Sequence, residues 1–526
     1  MRYVIYCLKT IERVFSTNQW ANMVNYICLL PHAPTAMRWK MKRTKRLIST
    51  LLIVLLLSGM LAAQATAANP QRIMLSWTGD SATTMTITWV GDSETPAVRY
   101  SPDKTLADAL EVTGTPAPNK SAIDNDGVRM TATLTGLIPA TTYWYVVGSD
   151  GNWSEAKSFT TAEQGTESFS FMYFGDIQVA NSAATEFAAW GKLANGAYER
   201  NPAAAFALQG GDIVESGINT EQWAMFTENA SDVLSRIPFM PTNGNHESNF
   251  LSGKPELYLD TFTLPQNGPE GFKEEFYSFD YGNAHITILN DWVFSGEQRL
   301  TEEQLSELDA WVESDLVSSA APWKIVVTHV PIYAIHSDTT ANRAREHWAP
   351  LFEKYGVSLV LVGHQHVYSR LKPLTDGEVD YENGVTYIMG NSGQKHYSSA
   401  DETLAERTIY NTTNYQIISI DGRTATVQTY DSGGNELDYT ALTPRTIGSI
   451  TRAEYIAALY RAAGSPEASL ASPFSDVAED SQYAEAIAWA SEIGIVNGVG
   501  GGMFDPITNI RAEHVSLVLA RLGGNK

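Results

Sequence analysis

Five short segments place metal-loving side chains directly after apolar, strand-like runs. They are F-G-D-I-Q around Asp176, G-G-D-I-V-E around Asp212, G-N-H-E around Asn245 and His246, V-T-H at His329, and G-H-Q-H at His364 and His366. A single Asp or His of this kind is most often a satisfied structural group. Five in order, mostly followed by a loop or helix, demand a fold in which several strand ends converge, and the residue types spell a dinuclear metal site. Residues two apart in an extended strand end project to the same side, so His364 and His366 are expected to face the ions together.

The rest of the chain supplies a frame for such a site. Its 526 residues are too many for one compact domain, and a hydrophobic content of 44% allows a sizeable core. From 69 to 162 the pattern alternates in short strands with turn punctuation and no helical period, which predicts a small β-sandwich. Trp89 is expected in its core. From 167 to 445 apolar strands alternate with amphipathic stretches, the signature of a layered α/β domain, with helices expected near 184–198, 219–235, 301–318 and 340–355. Strand-like runs after Tyr387 predict an antiparallel close. The segment 448–526 changes to a small all-α pattern, beginning with an amphipathic helix from Ile450 that stops at Gly464.

Residues 41–67 read as a secretory leader: basic Lys42, Arg43, Lys45 and Arg46, an apolar stretch Leu51–Leu57 too short to span a membrane, and an A-x-A ending at Ala67. Residues 1–40 carry no pattern of their own, and the expected start is Met41 or Met37. Both cysteines, Cys7 and Cys28, fall in that extension, so thiolate catalysis, zinc-thiolate sites and disulfides are excluded from the mature chain. Leaving out the residues before Leu47 leaves 27 basic and 58 acidic side chains, a net charge of −31. Such acidity opposes nucleic-acid binding, and a phosphate-bearing ligand must be drawn in by local charge such as bound metal ions.

Taken together, the motifs of 69–445 resemble the metallophosphoesterase superfamily, and within it the bacterial purple-acid-phosphatase-like enzymes that carry a fibronectin type III-like sandwich in front. The most discriminating piece is G-H-Q-H-V-Y-S-R from Gly363 to Arg370, and Leu137, Pro139, Thr142 and Tyr143 resemble the corner of a fibronectin module. The resemblance implies an αββα sandwich. It implies one metal on Asp176, Asp212 and His366, and a second on Asp212, Asn245, His329 and His364, with Asp212 bridging. It implies that His246 protonates a leaving group while a metal-held hydroxide attacks the phosphorus; paired cations about 3.5 Å apart neutralise, activate and align in such chemistry. Glu247 either orients that imidazole or caps the following turn. Two positions depart from the family: Gln178 stands where many members have His, and Glu215 where purple acid phosphatases have the tyrosine that colours the ferric site. A colourless enzyme using Mn, Zn or Fe(II) is therefore expected, with the first metal the weaker and Gln178 and Glu215 as further candidate ligands. His336 is a candidate phosphate contact, Asn391 a candidate pocket wall, and Tyr368 and Arg370 supports. His285 and His347 read as structural, and His514 belongs to the terminal helix.

The C-terminal run T-R-A-E at Thr451, A-I-A-W-A at Trp489 and G-G-G-M-F-D-P resembles the S-layer homology module, which implies attachment to bacterial cell-wall polysaccharide. One module and a second opening helix, with Ile510 in place of the usual Thr, are visible where three modules are common. The combined expectation is a secreted, wall-attached phosphomonoesterase with no membrane span. Its rivals are a phosphodiesterase or nucleotidase on the same site, and a surface adhesin with an inactive enzyme-like domain.

Overall fold

Strand alternation decides how this chain layers, because residues of opposite parity feed two different cores. The computed structural model describes residues 70–524 apart from 92, 118–127, 180–182, 250–251, 297–299, 449 and 470. The expected extension at 1–40 and leader at 41–67 lie outside the described residues. Among the described residues, no helix is long and apolar enough to cross a membrane.

The first domain is a sandwich of two antiparallel sheets. One holds Gln71–Ser76, Met85–Gly91, Val128–Leu134 and Thr115–Pro116; the other is built on Ala97–Ser101 and Thr142–Ser149. Trp89 is buried as expected. At the corner, the Tyr143 hydroxyl accepts the Ile138 N–H at 3.0 Å. The sandwich packs on the next domain through Trp77, whose ring meets Phe206 at 5.6 Å and Phe279 at 5.7 Å, and through Tyr145, whose hydroxyl donates to the Ser235 carbonyl at 2.7 Å.

The second domain has two sheets face to face. A six-stranded sheet has Ser168–Phe174 inside, parallel to Ala204–Gly210 on one side and antiparallel to Asn414–Asp421 on the other, with Phe239–Thr242 at one edge and Glu436–Leu442 at the opposite edge. A seven-stranded sheet runs Tyr277–Tyr281, Ala284–Ile288, Trp323–Val327, Leu359–Val362, Thr386–Met389, Tyr368–Leu371 and Ala405–Ile409. Ile325, Val327, Leu359, Leu361 and Ile388 share a core with Phe171, Tyr173 and Leu208 of the facing sheet. The alternate residues Val326, Val360, Val362 and Met389 pack outward, against helices Glu302–Ser318 and Thr339–Lys354. On the other outer face, Phe174 meets Trp190 of helix Ala183–Arg200 edge-on at 5.0 Å. The order of layers is αββα, as the resemblance implied. The helix expected over 219–235 is two, Thr220–Asn229 and Ser231–Leu234, broken where the Asn229 carbonyl accepts the Asn195 amide at 3.0 Å instead of extending the helix.

Helix Glu302–Ser318 starts on the Thr301 side chain with a reciprocal bond from Gln304, and the same capping box, Thr451 with Glu454, starts helix Arg452–Ala462. Helices Ala484–Glu492 and Ala512–Gly524 complete the terminal unit. His347 is structural, bonded to Asp309 at 2.6 Å, and so is His285.

His285 lies on the seven-stranded sheet with its ring nitrogens 2.7 Å from Asp280 and 3.0 Å from Asp315, and Asp315 sits on helix Glu302–Ser318. Burial alone would lower the imidazole pKa, but the two carboxylates outweigh it and raise it to about 9. A raised folded-state pKa stabilises fully below the unfolded value and is lost as pH rises through about 9. We expect roughly 3 kcal/mol of stability to disappear between pH 6.5 and 10, and His285→Gln to flatten that limb of a denaturation-versus-pH curve. An unchanged limb in the variant would show that the pair carries no such linkage.

Candidate metal centre at the seam of the two sheets

Every sequence-predicted ligand sits just past the C-terminal end of a strand, three strands from the six-stranded sheet and two from its partner. Asp176 follows Phe174, Asp212 follows Gly210, and Asn245 follows Thr242; His329 follows Val327 and His364 follows Val362. Near these ends the sheets are tied together. The Tyr173 hydroxyl donates to the Val362 carbonyl at 2.7 Å and Thr242 Oγ1 to the Leu289 carbonyl at 2.8 Å.

The loops approach so closely that side chains are excluded from them. A Cβ on Gly363 would lie 2.1 Å from Asp176 Oδ1, and one on Gly244 2.3 Å from Asp212 Oδ1. Three of the predicted ligands are also forced into left-handed backbone: Asp212 at φ 52°, His364 at φ 71° and His366 at φ 45°. Each costs a non-glycine residue roughly 1–2 kcal/mol. This corrects the expectation for G-H-Q-H. The two histidines are not on an extended strand end, and their rings part company. His364 Nδ1 faces Asn245 and His329, whereas His366 Nδ1 stands 3.4 Å from Asp176 Oδ2.

Asn245 Oδ1 lies 3.0 Å from His329 Nε2 and 3.0 Å from His364 Nδ1, and His329 Nε2 is 3.3 Å from Asp212 Oδ1. The outer nitrogens of both rings are already engaged: His329 Nδ1 with the Gly210 carbonyl at 2.8 Å, His364 Nε2 with Asp338 at 3.0 Å. Outward donation by His364 Nε2 leaves its Nδ1 lone pair facing the Asn245 oxygen, an opposition that a cation between them would resolve. Atoms of Asp212, His329 and His364 lie within 4.8 Å of one another, a span one ion can bridge. Without a metal, burial lowers the His329 pKa but the Asp212 carboxylate overrides it and raises it to about 10, so the imidazole holds a proton where the ion would sit. Burial acts to raise Asp212, and the His329 and His246 imidazoles hold it below the usual range.

The other half is sparser. Asp176 Oδ2 and His366 Nδ1 are buried with no hydrogen-bond partner, acceptor atoms that fit a cation. Burial pushes Asp176 up to about 7. Gln178 and Glu215 pair with each other, Gln178 Nε2 donating to Glu215 Oε2 at 2.6 Å. Gln178 Oε1 accepts from Lys395 Nζ at 3.2 Å.

His246 lies beside this cluster. Its backbone N–H donates to Asp212 Oδ1 at 2.9 Å, and its Nδ1 to the Glu215 carbonyl at 2.7 Å. Gln178 Nε2 meets its Nε2 at 2.7 Å. Burial lowers its pKa, but Asp212 and Glu215 overcome this and raise it.

Glu247 neither orients His246 nor caps the following turn. It is wholly buried, and its two oxygens accept four backbone N–H groups: Ile213 at 2.8 Å and Val214 at 3.2 Å on one, Asp212 at 2.8 Å and Gly244 at 2.7 Å on the other. It therefore ties the Asp212 loop to the Asn245 loop. Asp338 and Gln365 were also missed. Asp338 caps helix Thr339–Lys354, and an acidic cap near His336 was the available signal. Gln365 Oε1 accepts the N–H groups of Ile335 and His336 at 2.9 and 3.1 Å. His336 is half-buried, with its ring 5.3 Å from Tyr397 and its Nε2 buried without a hydrogen-bond partner. Asn391 bridges to Asp176 through the backbone, and Tyr368 and Arg370 both bond Asp438, at 2.7 and 2.8 Å.

Glu247→Gln keeps the shape but turns an NH2 toward two backbone donors. We expect a loss of about 2–5 kcal/mol in stability and weaker metal binding, read by thermal denaturation with and without Mn and by elemental analysis. Stability and metal content equal to the parent would remove Glu247 from this role.

Comparison with known proteins places these features in families. Residues 70–161 match the purple acid phosphatase N-terminal domain, 169–368 the calcineurin-like phosphoesterase family and 473–510 the S-layer homology domain. An uncharacterized protein of Mycobacterium tuberculosis is 28% identical over 288 residues, covering 48% of this chain and 53% of its own length. Acid phosphatase type 7 of Homo sapiens is 28% identical over 270 residues, 47% of this chain and 58% of its own. Purple acid phosphatase 18 of Arabidopsis thaliana is 26% identical over 205 residues, 36% of this chain and 44% of its own. The chain thus spans about half the length of the curated relatives it matches. Among solved structures, the purple acid phosphatase PPD1 from yellow lupin seeds shares the fold with a TM-score of 0.59 at 19% identity, covering 72% of this chain and 75% of that one. The chain carries a calcineurin-like phosphoesterase domain of purple-acid-phosphatase-like architecture, with a purple acid phosphatase N-terminal domain before it and an S-layer homology domain after it.

Proposed function

We propose that this chain is a metal-dependent phosphoric ester hydrolase held at the bacterial cell surface, acting on phosphomonoesters. The observation that carries the reading is the convergence of ligand-type atoms from Asp212, Asn245, His329 and His364, adjoining Asp176 Oδ2 and His366 Nδ1, which face each other at 3.4 Å without a hydrogen-bond partner. These six residues would hold two divalent ions, Mn, Zn or Fe(II), with Asp212 shared. Such a pair supplies positive charge for the phosphoryl group and an acidified water as nucleophile.

The chain's own residues do the rest. The Glu215 carbonyl fixes Nδ1 of His246 as a donor, which leaves Nε2, now facing the Gln178 amide at 2.7 Å, as the nitrogen that would carry a proton to the departing alkoxide when a substrate takes the place of that amide. Glu247 keeps the Asp212 and Asn245 loops from separating when charge shifts. Asp338 holds the His364 ring in one tautomer. Retention of a positioned acid beside the ligands favours catalysis over a purely adhesive role. Export through the 41–67 leader and wall-polysaccharide binding through the S-layer homology domain complete the proposal, supported by the match at 473–510.

The test is hydrolysis of p-nitrophenyl phosphate, its bis-ester and nucleotides by protein loaded with Mn or Zn. We expect turnover of the monoester, loss of activity on chelation, and a fall in kcat of about 10²–10⁴ in His246→Ala at unchanged metal content. Turnover restricted to the bis-ester would transfer the site to diesters, and turnover of none would leave the adhesin reading. With Glu215 in place of a phenolate ligand, iron-loaded protein is expected to lack a strong visible charge-transfer band; an absorption spectrum decides it.

A further inference from the structure

The ligand set and its supports are carboxylates, imidazoles and amides, in a chain whose charge repels phosphate. One ammonium is built into this wall. Lys395 is half-buried, and its Nζ donates to Oε1 of Gln178, at the position where the chain departs from the usual imidazole.

The backbone around Lys395 is pinned to the loops that carry the first-half ligands. The Ser392 N–H donates to the Asp176 carbonyl at 2.8 Å, and the Tyr397 N–H to the His366 carbonyl at 3.1 Å. Asn391 Nδ2 donates to the carbonyl of Lys395 itself at 2.9 Å. The Tyr397 ring wedges against His366 at 5.1 Å and His336 at 5.3 Å. Such a segment holds its lysine in place and does not leave it sweeping solvent.

Gln178 also touches the acid. Its Nε2 meets His246 Nε2 at 2.7 Å, so one buried amide links the ammonium to the group that faces the leaving oxygen. An ammonium has three N–H donors, and Gln178 takes one, leaving two for an anion. A phosphate monoester presents a dianionic phosphoryl group with oxygens to accept both; a diester has one of those oxygens alkylated and carries a single charge.

We infer that Lys395, set by Gln178, binds the non-bridging phosphoryl oxygens of the substrate and selects phosphate monoesters over diesters. The inference rests on the phosphoesterase reading above. It gives the departure at Gln178 a purpose: the position trades a metal-ligating imidazole for an amide that aims a fixed cation.

The experiment compares wild type, Lys395→Met and Lys395→Arg, each loaded with Mn, on p-nitrophenyl phosphate and its bis-ester, with metal content by elemental analysis and inorganic phosphate binding by calorimetry. A charge-assisted contact of this kind predicts a fall of about 10–100-fold in kcat/KM for the monoester in Lys395→Met, and of less than about 3-fold for the bis-ester. Phosphate affinity should weaken by about as much as monoester turnover, Lys395→Arg should recover most of both, and metal content should not change. Equal losses on the two esters, unchanged phosphate affinity, or loss of metal in Lys395→Met each overturn the inference. Wild-type protein that turns over neither ester overturns the phosphoesterase reading instead, and the calorimetry then still decides whether Lys395 holds the anion.

Discussion

The structure depends on keeping two buried carboxylates, Asp176 and Asp212, among other acceptors at the seam between two sheets. An ionised carboxylate taken out of water costs several kcal/mol unless it is paired. Asp212 has the His329 imidazole at 3.3 Å and the His246 N–H at 2.9 Å, whereas Asp176 Oδ2 has no hydrogen-bond partner. Left free, such loops would relax apart and admit solvent. Glu247 prevents this by accepting four backbone N–H groups from both sides of the cleft. The Asp212 and Asn245 loops are thus held together by a carboxylate whose oxygens both face backbone N–H groups.

The remaining architecture transmits the same constraint outward. The cross-sheet bonds of Tyr173 and Thr242 fix the two strand-end rows against each other. Farther from the site Asp438, on the outermost strand of the six-stranded sheet, binds both Tyr368 and Arg370 of the seven-stranded one. The G-H-Q-H-V-Y-S-R run is therefore two devices in sequence: two candidate ligand rings, then a clamp that closes the sheets behind them. The sandwich buttresses the opposite flank through Trp77 and Tyr145, away from the ligand loops.

Much of this was legible because five apolar runs in order, each followed by Asp, Asn or His, are hard to obtain by coincidence, and because capping signals such as Thr301 with Gln304 are local. Strand ends could be placed, and the helices with them. What local pattern does not carry is the conformation of the ligand loops. A spacing of two predicts that His364 and His366 share one side of an extended strand end, whereas close packing against Asp176 bends both into left-handed backbone and sends their rings to different halves. Glu247 looked like an orienting or capping residue because it adjoins His246, yet its partners include residues some 35 positions away. Lys395 was illegible for the same reason: nothing in N-S-G-Q-K-H reports that Gln178, 217 residues earlier, lies against it.

The junction with the terminal unit extends the argument from site to surface. Domains within a chain move relative to one another unless their interface is substantial and apolar. Helix Arg452–Ala462 lies outside the matched S-layer homology stretch, and it buries Tyr455, Ile456 and Leu459 in one core with Leu305, Leu308 and Val312 of helix Glu302–Ser318. Glu313 on that helix accepts from the Tyr355 hydroxyl at 2.6 Å and from Arg461 at 2.8 Å, closing the edge of the interface with a shared carboxylate. The Phe474, Val477 and Trp489 side chains of the matched stretch belong to the same core. A joint of this kind does not behave as a flexible tether. The terminal helices and the candidate ligand loops are thus joined through one packed element, because helix Glu302–Ser318 packs against the same sheet whose strand ends carry His329 and His364.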